Sequence, residues 1–141
     1  MSAYADTSFL VSLYLTDTHS PHAERLVASG QAVWLTPFHV AEWTHVIEQH
    51  VFRMALSRIE ADRYYEWFEQ HRERGLWVEA VLPDGAFDNC ARLARRYAAK
   101  LGLRTLDTLH VAVALELRVE RFWTFDERQK KLARAVGLKT N

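Results

Sequence analysis

The hydrophobic positions of this 141-residue chain follow two different periods in alternating segments. Short extended patterns, which predict strands, occur at residues 3–6, 31–36, 76–83 and 121–126. The segments between them repeat their apolar residues every three or four positions, which predicts helices at residues 8–15, 22–29, 38–52, 59–74, 86–101, 106–118 and 127–136. The chain therefore alternates strands with helices along most of its length.

Glycine and proline positions support these boundaries. Four of the five glycines follow a helical segment, where a left-handed residue commonly ends a helix: Gly30, Gly75, Gly102 and Gly137. Pro37 suits the first position of a helix, and Pro83 ends an extended segment. No repeat, low-complexity segment or linker interrupts the pattern, so we expect a single domain over residues 1–141.

Strands that alternate with helices predict an α/β fold in three layers, with helices on both faces of a short, mainly parallel central sheet. In such sheets, ligands bind beyond the carboxyl ends of the strands. The residues that follow each predicted strand are therefore the first candidates for a functional site.

Composition excludes several classes of protein. With 49% hydrophobic and 26% charged residues, the chain is not of the low-hydrophobicity disordered type, and no apolar run approaches the ~20 residues that span a bilayer. Cys90 is the only cysteine, which excludes a disulfide and a thiolate zinc cluster. Asp6 interrupts the apolar start, so no secretory leader is expected. These features predict a cytoplasmic protein with no membrane partner.

The net charge is zero, but it is unevenly distributed. Residues 1–83 carry six Lys and Arg against eleven Asp and Glu, whereas residues 84–141 carry twelve against seven. The carboxyl-terminal part is therefore basic. Either it contains solvated helix faces of no further meaning or it attracts a polyanion.

Four carboxylates lie in apolar sequence, where an unpaired charge is costly. Asp6 and Asp126 end the first and last predicted strands, and Glu42 and Asp107 fall in the first turn or two of predicted helices. All four are expected at one edge of the sheet. Each also has a structural alternative, because acids commonly cap helices or complement their positive ends.

Four carboxylates in one cleft repel each other by roughly 3 kcal/mol per pair at ~5 Å and an effective dielectric near 20, so the cluster needs cations or protons. A set of oxygen ligands suits Mg²⁺ or Mn²⁺, and such ions assist phosphate chemistry. Ser8 and Thr124 would add supporting hydroxyls close to Asp6 and Asp126. Their alternatives are a helix cap for Ser8 and an ordinary β-branched strand residue for Thr124.

Four short motifs carry a family resemblance. They are Ala5-Asp6-Thr7-Ser8-Phe9-Leu10, Ala41-Glu42, Leu106-Asp107-Thr108-Leu109-His110-Val111-Ala112 and Trp123-Thr124-Phe125-Asp126-Glu127-Arg128. In this order and spacing the chain resembles a PIN domain, and its small size is similar to that of the VapC toxins of bacterial toxin–antitoxin pairs.

The resemblance implies a metal-dependent endoribonuclease with Asp6, Glu42, Asp107 and Asp126 as its catalytic, metal-binding acids. It implies hydrolysis of RNA by an activated water, which leaves a 3′-hydroxyl and a 5′-phosphate. It also implies a homodimer and a cognate VapB-like antitoxin. Aromatic residues of the helix at 59–74 are candidates for the antitoxin contact, with core packing as their alternative: Tyr64, Tyr65, Trp67 and Phe68.

Basic residues of the carboxyl-terminal part are candidates for RNA contacts. Arg92, Arg96 and Lys100 recur every four residues and form one stripe on a regular helix, with Arg95 and Arg104 nearby. A second group on the last helix contains Lys130, Lys131 and Arg134. The alternative is a solvated helix face.

Two other functions stay open. The acidic groove could capture a basic peptide or RNA without cleaving it. Glu42-x-x-His45 and Asp107-x-x-His110 also imitate the ligand pairs of di-iron helical bundles, although such a bundle is all-helical. We expect His110 to be buried and to orient its neighbours, and we expect His39 and His50 at the surface or in the groove.

Overall fold

The computed structural model describes residues 1–141. Five parallel strands form one sheet in the order β3-β2-β1-β4-β5: β1 (Ser2–Ala5), β2 (Ala32–Leu35), β3 (Trp77–Glu79), β4 (Arg121–Trp123) and β5 (Lys139–Thr140). Parallel neighbours require crossover connections, and helices provide them. The predicted α/β fold is confirmed.

Eight α-helical segments surround the sheet. They are α1 (Thr7–Tyr14), α2 (Ser20–Ala28), α3 (Pro37–Phe52), α4 (Arg58–Glu73), α5 (Ala86–Leu93), α6 (Ala99–Leu101), α7 (Thr105–Glu116) and α8 (Glu127–Ala135). All four glycines expected at helix ends have positive φ, between 67° and 90°. None of these helices is long and apolar enough to cross a membrane.

Alternation along β1 divides the core into two clusters. Ala3 and Ala5 face one side with residues of α1 to α4, and Tyr4 faces the other with residues of α5, α7 and α8. Each cluster contains fourteen buried hydrophobic residues, so helices pack on both faces of the sheet. This arrangement gives the three predicted layers.

Two features of the backbone differ from the sequence prediction. The strand β5 was not predicted, because two residues are too few to show a period. The helix predicted at 86–101 contains a π-helical turn at Ala94–Ala98, which separates α5 from α6. A π turn has a longer hydrogen-bonded ring than an α turn, so the angular spacing of residues changes across it.

The carboxyl ends of the central strands bring distant parts of the chain together. Ala5 pairs with Trp123 in the register of β1 and β4, so Asp6 and Thr124 emerge side by side. The Asp6 backbone N–H donates to the Trp123 carbonyl at 3.0 Å. The edge of the sheet thus fixes the relative position of residues that are 118 positions apart.

Candidate active site

A pocket of about 490 Å³ opens beyond the ends of β1 and β4. All four predicted carboxylates line it: Asp6, Glu42, Asp107 and Asp126. They come from the start of α1, from α3, from α7 and from the start of α8. The predicted convergence is therefore present, and the pocket contains one further acid, Asp17, between α1 and α2.

Asp6 is buried and is surrounded by hydrogen-bond donors. Its carboxylate accepts from the Phe9 backbone N–H at 2.9 Å and from the Ser8 hydroxyl at 2.8 Å, and the Thr124 hydroxyl lies 2.9 Å away. Burial raises the pKa of Asp6 above its usual value, although the charge of His110 and the hydrogen bonds from Phe9, Ser8 and Thr124 act in the opposite direction. A nearby cation would stabilise the ionised form.

The helix caps at the site are Asp6 and Asp126. Asp6 caps α1, so the alternative role proposed for Ser8 as the cap is wrong, and Ser8 instead donates to Asp6. Asp126 caps α8 through the Gln129 backbone N–H at 2.9 Å. This bond uses Oδ1 only, so capping leaves the second carboxylate oxygen of Asp126 free for a ligand.

Gln129 connects three parts of the site and was missed by sequence reasoning. Its fully buried amide lies 2.8 Å from the Thr124 hydroxyl through Oε1 and donates through Nε2 to the Asp107 carbonyl at 3.0 Å. Thr124 is also fully buried, so its hydroxyl supports Asp6 from behind. Gln129 is surrounded in sequence by charged residues of α8, which hides its burial from a pattern analysis.

Glu42 belongs to a chain of polar groups that extends into the core. The Tyr4 hydroxyl lies 2.7 Å from His110 Nδ1, His110 Nε2 contacts Glu42 Oε1, and the Thr7 hydroxyl donates to the same oxygen at 2.7 Å. Burial holds the pKa of Tyr4 well above its usual value, so the phenol keeps its proton. Nε2 can donate to Glu42 in either protonation state of His110, because a neutral ring accepts from the phenol at Nδ1 and a charged ring donates from both nitrogens.

This chain fixes both the position and the charge of Glu42. Burial by itself raises the pKa of a carboxyl, but the hydrogen bonds from His110 and Thr7 outweigh it, and the pKa of Glu42 is lowered. His110 is buried, as predicted, and it orients Glu42. Glu42 lies in the second turn of α3, beyond the first turn where a helix dipole acts most strongly.

Arg104 is the only Lys or Arg among the residues that line the acidic pocket. Its Nε donates to Asp107 at 3.2 Å, and its side chain is 79% exposed. The pKa of Arg104 is raised by its hydrogen bond to Asp107 and by the nearby charges of Asp107, Asp126 and Glu42. A flexible, exposed guanidinium beside a carboxylate cluster suits a phosphate ligand.

Comparison with known proteins identifies the family of this chain. The sequence profile described as the PIN domain matches residues 3–135, which is almost the whole chain. The chain belongs to the PIN domain family. A comparison with curated protein sequences found no match.

Solved structures similar to this PIN domain include three from bacterial species. VapBC2 of Rickettsia felis, solved with a DNA fragment from its promoter, has a TM-score of 0.70 at 12% identity over 100% of this chain and 98% of that chain. VapC20 of Mycobacterium tuberculosis, described as a sarcin–ricin loop cleaving toxin, has a TM-score of 0.71 at 17% identity, over 97% of this chain and 96% of that chain. FitAcB of Neisseria gonorrhoeae has a TM-score of 0.72 at 17% identity, over 98% of this chain and 95% of that chain. At these identities the similarity shows a shared fold.

The donor atoms of this PIN domain suit a hard divalent cation. The four acids and Ser8 offer oxygen donors to the pocket, which is also lined by His19 and His110 and by no cysteine. The structure contains no preassembled group of three or more His, Cys, Asp or Glu side chains that could hold a metal ion by themselves. Mg²⁺ does not need such a group, because it keeps several waters and binds through one or two carboxylates. The buried Asp6 with its raised pKa also favours a cation. The residues therefore fit a partly hydrated ion.

None of the predicted RNA-contacting residues lines the acidic pocket. Arg92 and Arg96 line a separate shallow pocket with Arg95, whereas Lys100 follows the π turn and is not among its lining residues. Lys130 is largely covered, at 14% side-chain exposure, and lies 3.7 Å from Glu127. The stripe was predicted for a regular α-helix, and the π turn interrupts it.

The aromatic residues considered for a partner contact divide between core and surface. Phe68 is buried, and Tyr64 and Tyr65 pack partly against the same cluster. Trp67 is 48% exposed beside an apolar pocket that also contains Leu13 and Val27. Trp67 is therefore the member of this group with the most surface available to a partner.

One expectation and one alternative about histidine chemistry are wrong. His39 is completely buried: its Nδ1 accepts from the Thr36 backbone N–H at 3.0 Å, and its Nε2 donates to the Ala5 carbonyl at 2.8 Å. The di-iron bundle is excluded by the five-stranded sheet. His45, which it needed as a ligand, lies exposed on α3 and contacts the Ala41 carbonyl.

Proposed function

We propose that this PIN domain is a metal-dependent endoribonuclease and acts as the toxin of a toxin–antitoxin pair. The observation that carries the proposal is the convergence of Asp6, Glu42, Asp107 and Asp126 in one pocket, from four separate elements. Support comes from the PIN family match and from the similarity to VapC20, which is described as a sarcin–ricin loop cleaving toxin.

Each acid has a definable task in this proposal. Asp6 and Asp107 would hold Mg²⁺ or Mn²⁺, with Asp126 contributing the oxygen that capping leaves free. Glu42, kept ionised by His110 and Thr7, would accept a hydrogen bond from the attacking water. When bound, the cation supplies positive charge that offsets the carboxylates and polarises the scissile phosphate. Arg104 would hold a phosphate oxygen from the α7 side.

The test is cleavage of total cellular RNA by the purified protein with Mg²⁺ or Mn²⁺, with EDTA, and with Asp6→Asn. Discrete fragments that require both the metal and Asp6 are expected. Asp88→Asn, which changes an exposed acid of α5, is the matched control and should cleave like the wild type. No metal-dependent product from the folded wild-type protein would favour a module that binds RNA or a peptide without cleaving it.

The proposal extends to partners. We propose that residues 1–141 act as one cytoplasmic nuclease unit that forms a homodimer and is neutralised by a VapB-like antitoxin. The exposed Trp67 and its apolar surroundings are the candidate contact for that partner. Sedimentation equilibrium of wild type and Trp67→Ala, alone and with the co-expressed partner, tests both assemblies, and loss of the hetero-complex only in Trp67→Ala is expected.

A further inference from the structure

Three near-parallel aromatic rings lead from the core to the rim of the acidic pocket. The buried Phe9 stacks on the half-buried Phe125, with centroids 5.6 Å apart and planes at 11°. Phe125 in turn stacks on the exposed His19, with centroids 4.3 Å apart and planes at 10°. His22 also contacts Phe125, tilted by 58° at 5.7 Å. The exposed fraction of the rings increases along the series, and His19 is its solvent end.

This series belongs to the pocket that holds the carboxylates. His19 and Phe125 line it together with the four acids. Phe125 directly precedes Asp126, so the ring and one of the carboxylates that line the pocket belong to neighbouring residues. A nucleotide whose phosphate lies at Asp126 therefore has an aromatic surface within reach of its base.

His19 is held in place without using its ring nitrogens. The Asp17 carboxylate accepts from the His19 backbone N–H at 2.7 Å, and the stack with Phe125 orients the imidazole. Neither ring nitrogen of His19 makes a hydrogen bond within the chain, and the ring is too exposed to contribute to the core. Its outer surface and both nitrogens are thus available to a ligand.

The chemistry of this surface suits a base better than a phosphate. Arg104 is the only Lys or Arg that lines the pocket, and it contacts Asp107 on α7, an element distant in sequence from His19. Flat aromatic rings bind unstacked bases of single-stranded RNA with little sequence preference, whereas bases within a duplex are already stacked. A stacking surface next to the acids therefore favours an unpaired nucleotide.

We infer that His19, supported by Phe125, forms a base-stacking subsite next to the cleavage position. The inference rests on the proposed ribonuclease activity and adds the residues of this chain that would contact a base of the RNA. His19 is a specificity-determining residue in this arrangement, and Phe125 positions its ring.

The test measures kcat/KM on a short unstructured RNA of mixed sequence that carries a fluorophore and a quencher. A second RNA has one abasic ribose next to the mapped cleavage position, and a third is the same sequence in a duplex. His19→Ala should lower kcat/KM by about 5- to 20-fold, the effect of losing one stacked base. The abasic RNA should show the same loss with wild type and no further loss with His19→Ala.

Two variants control for a merely structural effect. His19→Phe keeps an aromatic ring and should restore most of the activity that His19→Ala loses. His50→Ala removes a histidine on α3 that lines none of the described pockets and should behave as wild type. The duplex should be cut more slowly than the single strand by every variant.

Three results would overturn the inference while leaving the nuclease intact. They are equal discrimination against the abasic RNA by wild type and His19→Ala, equal cleavage of single strand and duplex, and an effect of His19→Ala on antitoxin affinity alone. If wild type cuts no RNA, 2-aminopurine RNA is titrated into Asp6→Asn with and without His19→Ala. Quenching that does not depend on His19 would overturn the subsite as well.

Discussion

Asp6 is the carboxylate whose surroundings most strongly oppose its charge. It is 4% exposed, and burial raises its pKa above the usual value of an aspartate. The same burial fixes its position, because Ser8, Phe9 and Thr124 all approach its oxygens. A site that is costly without a cation is well prepared to bind one.

The pKa of Asp6 has a measurable effect on stability. Between the unfolded pKa near 3.9 and the higher folded value, the folded protein holds a proton that the unfolded chain releases, so stability falls as pH rises. In EDTA, the free energy of unfolding of wild type should decrease relative to that of Asp6→Asn as the pH rises from 4 to 8. Urea denaturation measures this difference. If the unfolding free energies of wild type and Asp6→Asn changed in parallel with pH, the pKa shift would be contradicted. As a control, the pH dependence of Asp88→Asn should be the same as that of wild type.

Arg104 gives a second prediction at the residue scale. Because it is the only Lys or Arg lining the pocket, Arg104→Ala should lower kcat/KM for RNA by about 10- to 100-fold, the effect of losing one charge-assisted hydrogen bond. The kcat/KM of Arg104→Lys should lie between those of wild type and Arg104→Ala, since a lysine keeps the positive charge but cannot form a forked contact. The exposed pair with Asp107 contributes little to folding, so the unfolding free energy should change by less than about 0.5 kcal/mol. Faster cleavage by Arg104→Ala would instead mean that Arg104 competes with the cation.

At the scale of elements, His39 joins β1 to the start of α3. Its Nε2 donates to Ala5, next to Asp6, and its Nδ1 completes a capping box with Thr36. Glu42 follows one turn later on the same helix. The buried histidine therefore sets the distance between two of the four carboxylates, although it does not touch a ligand.

The buried His39 predicts a loss of stability in acid. Burial, assisted by the charge of His110, lowers the pKa of His39 to about 3. Between pH 6.5 and that value only the unfolded chain takes up the proton, so stability is complete above pH 6.5 and declines below it, by about 2 kcal/mol at pH 5. His39→Gln keeps an acceptor for the capping box but cannot titrate, and it should lose this part of the pH dependence. His45→Gln, on the exposed face of α3, should keep it. Thermal unfolding from pH 5 to pH 8 compares the three proteins.

At the scale of the whole molecule, the site depends on strands and helices that meet only in the folded state. The four acids and Arg104 come from α1, α3, α7, α8 and the loop before α7. An ion bound by several of these elements can bind the folded chain only. Metal binding and folding are therefore linked.

The linkage predicts stabilisation by divalent cations. At an Mg²⁺ or Mn²⁺ concentration ten times the dissociation constant, the unfolding free energy should rise by about 1.4 kcal/mol, and Tm by about 4 °C for a chain of this size. Asp107→Asn should remove most of this rise, and Asp88→Asn should keep it. An equal rise in all three proteins would indicate nonspecific binding of the ion. Differential scanning fluorimetry with and without EDTA gives the comparison.

The local features of this protein follow from its sequence alone. The alternation of periods gives four of the five strands and the α/β class, and glycines at positive φ end the helices where expected. The four acids are also visible in sequence, because ionised groups in apolar segments are unusual. Periodicity, turn residues and residue chemistry are local properties, and each acts through a few neighbouring positions.

The tertiary structure decided which groups meet. The contacts of Thr124 with Asp6 and of His110 with Glu42 join residues 118 and 68 positions apart, and no local pattern encodes such pairs. The burial of His39 and Gln129 depends in the same way on helices that pack over the sheet. The π turn, which separates Lys100 from the basic stripe, also has no distinct periodicity in sequence. The residues of the site are thus set by local chemistry, but their arrangement is set by long-range packing, because only the folded sheet brings its strand ends together.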